Sequence, residues 1–455
     1  MSRNDRRESR RNQKCRWAIV RSVLAGLLFV TGFSDCAIPR GHVASVSPDR
    51  AFTVYWPPKG SSQIRLAVKD DIDMKGAVTT AGSEYFAKNS KEASHDAKCL
   101  AIARERKVQI VGKTNLSEFA VAPSGLNEYY GTPKNPFGLR KKFIPGGSSS
   151  GSAVAVANGE TDVAFGTDTA GSVRVPAACC GILGLKTTFG LVSLEGVLPV
   201  EPKHLDSVGP MAKDVAHLVD GMDLLQRGFV ARYGRAIAAK PLAKEIRIGR
   251  LYLNGTDPKI NTAVDYALDQ AHFQVIALGK DFAAMWDQAK KDGDTVAAAG
   301  AWLNYNKYFG KLGVSAKTEA VIALGEFEYT TNYRDALRRQ AEWQYTLRQV
   351  FKKVDFIALP TLQMLPPTIP LVGRTALLEA RVAGLQNTVA VNFAGNPALA
   401  IPIPVNDRTI PVTSLQLVGP RLSEAELLNA GRLVEAAVQA SMHASRLVKA
   451  THAQQ

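Results

Sequence analysis

The segment 145–187, PGGSSSGSAVAVANGETDVAFGTDTAGSVRVPAACCGILGLKT, limits what this chain can fold into more than any other stretch. Residues 146–151 form a glycine-serine turn that opens onto a small-residue helix over 152–158. An apolar strand at 163–166 then leads to a second turn over 168–172. Glycine lacks a Cβ and reaches positive φ freely, so such turns let the backbone approach a reacting group closely. The apolar stretch that follows is expected to dock against a sheet and aim the amides of Thr169, Ala170, Gly171 and Ser172 into one cleft. Clustered N–H groups of this kind make an anion or oxyanion site.

Both turns present serines, and a serine hydroxyl is a weak nucleophile until a base takes its proton. None of the seven histidines stands in a convincing motif, so lysine becomes the candidate base. Lys69 ends the strand-like run IRLAVK, where its amine can point from a strand terminus into a cleft. To accept a proton the amine must be neutral, which desolvation can achieve. The neighbouring carboxylates Asp70, Asp71 and Asp73 oppose neutrality, and are expected to point elsewhere or to be engaged by other donors. Residues 147–151 formally match GxSxG, but that nucleophile elbow follows an apolar strand, whereas here it follows LRKKFIP. No SxxK occurs.

GGSSSGS followed by DTAGSVRVPAACCGILGLKTT resembles the amidase signature family of serine hydrolases. Ser148 and Ser172 lie 24 residues apart, as that family's two serines do, and AVKDDIDMKG places Lys69 at its lysine. HLDSVGPMAKDV, DFIALPT and the last two strand-like runs extend the likeness over roughly 69–428. The resemblance implies a large mixed sheet covered by helices on both faces. It also implies that Ser172 attacks an amide carbonyl, that Ser148 relays its proton to Lys69, and that the amides of Thr169, Ala170, Gly171 and Ser172 hold the oxyanion. Gly147 is implied to precede Ser148 through a cis peptide bond. Arg174 is read as tying the nucleophile loop to a carboxylate such as Asp168, with a substrate contact left open. Ser149, Ser150 and Ser152 are read as turn and capping residues, and Asp206 as a loop anchor. Two alternatives stay open within the resemblance: the subunit that releases ammonia from glutamine during transamidation of misacylated tRNA, and a non-catalytic binding protein on the same scaffold.

Elsewhere strand-like runs at 64–68, 109–112, 163–166, 246–253, 273–278, 356–359, 398–403 and 413–418 alternate with helical stretches, among them 331–354. This implies an α/β architecture with helices covering a large sheet, in one domain over 37–455. Residues 1–36 read as a signal peptide: a basic region from Arg3 to Arg21 precedes the apolar run 23–33, too short to span a bilayer as a helix. Cleavage after Cys36 is expected, with Val43-Ala44-Ser45 as an alternative, and an uncleaved anchor stays open. Export to the periplasm or medium follows, or a cytoplasmic address if the start is misassigned.

The leader carries eight basic and three acidic residues, leaving +10 of the net +15 to the remainder. Without a nucleic-acid motif that charge argues for solubility, not nucleic-acid binding. Cys99, Cys179 and Cys180 read as buried small hydrophobes, and no CxxC or Cys/His cluster suggests zinc. The expected ligand is a small amide with no cofactor or metal, and a homodimer stays open. Tyr129, Tyr130, Phe143, Leu198, Trp302, Tyr305 and Met364 are candidate pocket walls for a neutral aryl or aliphatic amide.

Overall fold

A computed structural model describes residues 47–452 apart from 48, 59, 61–62, 139–140 and 371–374. The leader and its cleavage site lie outside the described residues. Eleven strands form one mixed sheet. In chain order they are β1 (Phe52–Tyr55), β2 (Arg65–Lys69), β3 (Gln109–Thr114), β4 (Val163–Asp168), β5 (Leu183–Lys186) and β6 (Ser207–Ala212), then β7 (Arg247–Arg250), β8 (Gln274–Ala277), β9 (Phe356–Pro360), β10 (Ala398–Pro404) and β11 (Val412–Val418). Their order across the sheet is β1-β3-β2-β4-β6-β5-β10-β11-β9-β7-β8. β2 runs parallel to both β3 and β4, and β7 parallel to β8 and β9. The pairs from β4 through β6, β5, β10 and β11 to β9 are antiparallel.

Each strand-like run of the sequence is a strand. The central ones read as unbroken apolar runs because both of their faces are covered. In β2, Leu66 and Val68 pack into a core with Phe165, Leu185, Leu399 and Leu415. Ala67, between them, packs on the opposite face with Ala153, Val154, Ala164, Met211 and Ala400. Three strands escaped the sequence pattern. β1 and β5 are four residues each. β6, SVGPMA, contains Gly and Pro, which ordinarily argue against a central strand. Gly209 is required there, because a Cβ would lie 1.9 Å from the carbonyl oxygen of Leu185.

The stretch after Ser172 docks on the sheet as expected, and does so as a buried helix, Arg174–Cys180. Pro176 sits in its first turn, where a missing N–H costs nothing, and Gly181 closes it in the left-handed conformation. The small-residue helix runs Ser150–Ala157, two residues earlier than expected. Its Gly151 presses on backbone, for a Cβ would meet Ala51 O at 2.1 Å and Asn115 N at 2.5 Å. The helix Tyr333–Val350 buries Ala336, Trp343 and Leu347. Cys99, Cys179 and Cys180 are buried and unpaired. Among the described residues no helix is long and apolar enough to cross a membrane.

Candidate functional site

Lys69 is the last residue of β2, and its side chain has no solvent contact. Nζ lies 2.8 Å from Ser148 Oγ, 2.6 Å from Thr167 Oγ1 and 3.0 Å from Asp71 Oδ2. Thr167 reaches it from the neighbouring β4, and its hydroxyl donates to Asp71 Oδ2 at 2.7 Å. Having committed its proton to Asp71, Thr167 accepts from Lys69. Burial lowers the Lys69 pKa, and the charge and hydrogen bond of Asp71 oppose that fall.

Asp71 therefore corrects one expectation, since it faces the amine directly. Its other oxygen, Oδ1, has no partner among the described residues. The remaining two carboxylates are engaged elsewhere. Asp70 pairs with Lys113 at 2.8 Å and accepts from the hydroxyls of Thr53 and Thr80, and Asp73 accepts from Thr79.

Ser148 is fully buried, and the peptide bond joining it to Gly147 is cis. The Ser149 amide donates to the carbonyl of Ser172 at 3.2 Å, tying the two glycine turns together. Ser172 is half-buried, whereas Lys69 and Ser148 are fully buried. Ser149, Ser150 and Ser152 do not cap as expected. Ser149 holds the N-cap position without a side-chain cap bond, Ser150 Oγ has no partner among the described residues, and Ser152 Oγ bonds Thr114 Oγ1 at 2.6 Å.

The second turn, Thr169, Ala170, Gly171 and Ser172, hangs from β4. Beneath it Arg174 and Asp168, both fully buried, form a two-pronged pair with Nη2–Oδ1 2.9 Å and Nε–Oδ2 3.1 Å. Asn392 donates to both the carboxylate and the carbonyl of Asp168, and Gln416 Oε1 accepts from Arg174 at 2.7 Å. Burial alone raises the Asp168 carboxyl, but the Arg174 charge and hydrogen bonds override it and hold the group at about 2. Thr388 Oγ1 donates to the carbonyl of Ala170 at 2.5 Å. Gly171 has φ +134°, and a Cβ there would lie 2.2 Å from Thr388 Oγ1. Asp206 accepts the hydroxyl of Thr169 at 2.7 Å.

Thr167, Thr388, Asn392 and Gln416 were not singled out in the sequence. Thr167 sits inside GTDTAGS and was legible there. The other three lie more than 200 residues from the turn they brace and carry no local signal. Of the expected pocket walls, Leu198, Trp302 and Tyr305 gather in one apolar cluster with Phe119. Tyr129 and Tyr130 pair edge to face at 4.8 Å, Phe143 is buried apart, and Met364 is exposed. Among the described residues no group of carboxylates, cysteines and histidines could hold a metal ion.

The Amidase family model matches residues 63–428. In Halobacterium salinarum, the A subunit of glutamyl-tRNA(Gln) amidotransferase is 32% identical over 412 residues, covering 81% of this chain and 94% of that one. Among solved structures, one from a vestigial protein complex bearing on the origins of an s-triazine catabolic enzyme superposes with a TM-score of 0.73 at 25% identity, over 82% of this chain and 83% of that one. The corresponding amidotransferase chain of Thermotoga maritima shares the fold at a TM-score of 0.68 and 23% identity, over 85% and 88% of the two chains.

The Asp168–Arg174 pair yields a prediction with a defined sign. The Asp168 folded-state value of about 2 lies below its ordinary 3.8, so the pair's stabilisation is complete above about pH 4 and is lost as pH falls toward about 2. Removing one partner of a buried pair costs about 3–5 kcal/mol. Arg174→Met is expected to lower Tm sharply at pH 7 and to lose the wild type's fall in Tm between those pH values; an unchanged Tm at pH 7 contradicts this.

Proposed function

This chain belongs to the amidase family, and on that premise we propose that it cleaves a carboxylic amide through an acyl-enzyme on Ser172, with Ser148 and Lys69 relaying the proton. The observation that carries the reading is the buried Lys69 amine 2.8 Å from Ser148 Oγ, on a turn hydrogen-bonded to Ser172 itself. A neutral amine has two N–H bonds and one lone pair. Its partners match that inventory: Thr167 and Asp71 accept, and the lone pair is left for the Ser148 proton. Desolvation favours this neutral form.

Ser172 then attacks the carbonyl carbon as its proton passes to Ser148 and that of Ser148 to Lys69. The amides of Thr169, Ala170, Gly171 and Ser172 receive the oxyanion, and preorganised donors of this type are worth about 3 kcal/mol each in the transition state. Lys69 returns a proton through Ser148 to the leaving amine. Water attacks the acyl-enzyme by the same relay run in reverse, releasing the acid and restoring Ser172.

Two amide classes are in play. The apolar and aromatic residues read from the sequence as pocket walls favour a neutral aryl or aliphatic amide. The match to amidotransferase A subunits over 94% of a relative's length supports glutamine as the amide donor, with partner subunits beside this chain. Ammonia release from a panel of glutamine, asparagine and simple aryl and aliphatic amides separates them: strong preference for glutamine supports the second, and indifference to it the first.

In that assay Ser172→Ala is expected to abolish turnover and Lys69→Ala to lower kcat by about 10²–10⁴-fold. Activity should rise with pH through the Lys69 pKa. Because Asp71 favours the charged amine, Asp71→Asn moves that limb to lower pH. Wild-type turnover in Lys69→Ala, or a limb moved upward by Asp71→Asn, overturns the relay.

The basic and apolar leader supports export. N-terminal sequencing of protein recovered from an export-competent host is expected to begin between Ala37 and Val46, and intact Met1 in the soluble cytoplasmic fraction would contradict it.

A further inference from the structure

Two side chains from outside the turn hold its residues 169 and 170, and only one of the two is charged. On one side Thr388 Oγ1 donates to the Ala170 carbonyl. On the other, Asp206 Oδ1 accepts the Thr169 hydroxyl at 2.7 Å and the Glu201 amide at 3.0 Å, while Oδ2 accepts the amides of Val200 at 2.9 Å and Glu201 at 3.0 Å. Asp206 immediately precedes β6, whose first residue, Ser207, stands opposite Asp168 in the antiparallel ladder. Ser207 Oγ also donates to the Asp168 carbonyl at 3.2 Å. The carboxylate thus leaves the sheet beside the point where the turn leaves β4, and it joins that turn to the segment 200–206.

We infer that Asp206 is a positioning residue for the oxyanion turn, acting through the Thr169 hydroxyl. The inference rests on the reading of that turn given above. The ionised carboxylate accepts all of these bonds at once: both oxygens take backbone amides, which cannot reverse, and Oδ1 also takes the Thr169 hydroxyl. Burial raises the Asp206 carboxyl to about 6, with the charge of Asp71 adding to the rise and the three donor residues opposing it. At neutral pH the group is therefore ionised. Asp206 is only 5% exposed and meets the turn through the Thr169 hydroxyl. Oxyanion donors act by being fixed in advance at the place where charge develops. A turn loosened on one side keeps its amides but loses their aim, and this acts on the transition state more than on substrate binding.

The test uses the full chain and the best amide from the panel above. Thr169→Val keeps the side chain's shape and removes its hydroxyl, and is expected to lower kcat by about tenfold or more with KM changed by no more than about twofold. Thr169→Ser restores the hydroxyl and is expected to recover most of the loss. Asp206→Asn turns a donor toward Thr169 or a loop amide and lowers kcat in the same way. The double variant Thr169→Val/Asp206→Asn is expected to be no worse than the poorer single one, since both break one hydrogen bond. If Asp206→Asn does not fold, the Thr169 pair decides alone. Undiminished kcat in Thr169→Val, a loss confined to KM, or failure of serine to rescue overturns the clamp while leaving the amidase reading intact. A wild type that neither cleaves an amide nor reacts at Ser172 overturns the parent reading and the clamp with it.

Discussion

A primary amine held at the end of β2 with no solvent contact is the constraint on which the site depends. Burying an ammonium costs several kcal/mol unless partners replace its water, and three groups do so from three places in the chain. Asp71 follows Lys69 by two residues, Thr167 comes from the adjacent parallel strand, and Ser148 comes from the turn before the helix Ser150–Ala157. The parallel pairing of Val68 with Phe165 brings β2 and β4 into the register that makes this contact. Asp71 limits how far the amine's pKa can fall, and burial drives it down. Their balance sets how much of the amine is neutral and able to accept a proton.

A second buried charge organises the other turn. Arg174 and Asp168 have no solvent contact, and their hydrogen bonds are completed by Thr388, Asn392 and Gln416. These residues come from the helix Val389–Ala394, the residue before it, and β11, which is four strands away from β4 in the sheet. The late segments of the chain thereby fix a turn formed in its first half. Such a network is costly when incomplete and rigid when satisfied, and rigidity is what a cluster of amides needs to serve as an oxyanion site.

The sequence made the α/β architecture legible because apolar runs bounded by turns are what doubly covered strands look like. It also marked the two serine turns and the lysine strand. β6 was hidden by Gly209 and Pro210, and the helix Arg174–Cys180 was hidden by a proline that only its first-turn position excuses. Asp71 was weighed but misplaced, because adjacency to Lys69 cannot say which face of the chain a carboxylate takes. Thr388, Asn392 and Gln416 were beyond reach, since their role exists only after the sheet has closed the distance to Asp168.

The central claim is that the half-buried Ser172 carries the acyl group and the buried Ser148 passes protons. A fluorophosphonate reacts with the serine whose oxygen is activated beside the oxyanion donors, so peptide mapping of the adduct tests the claim most directly. The account predicts a single adduct on Ser172, slowed but not moved by Ser148→Ala. An adduct on Ser148 or Ser149 would contradict it.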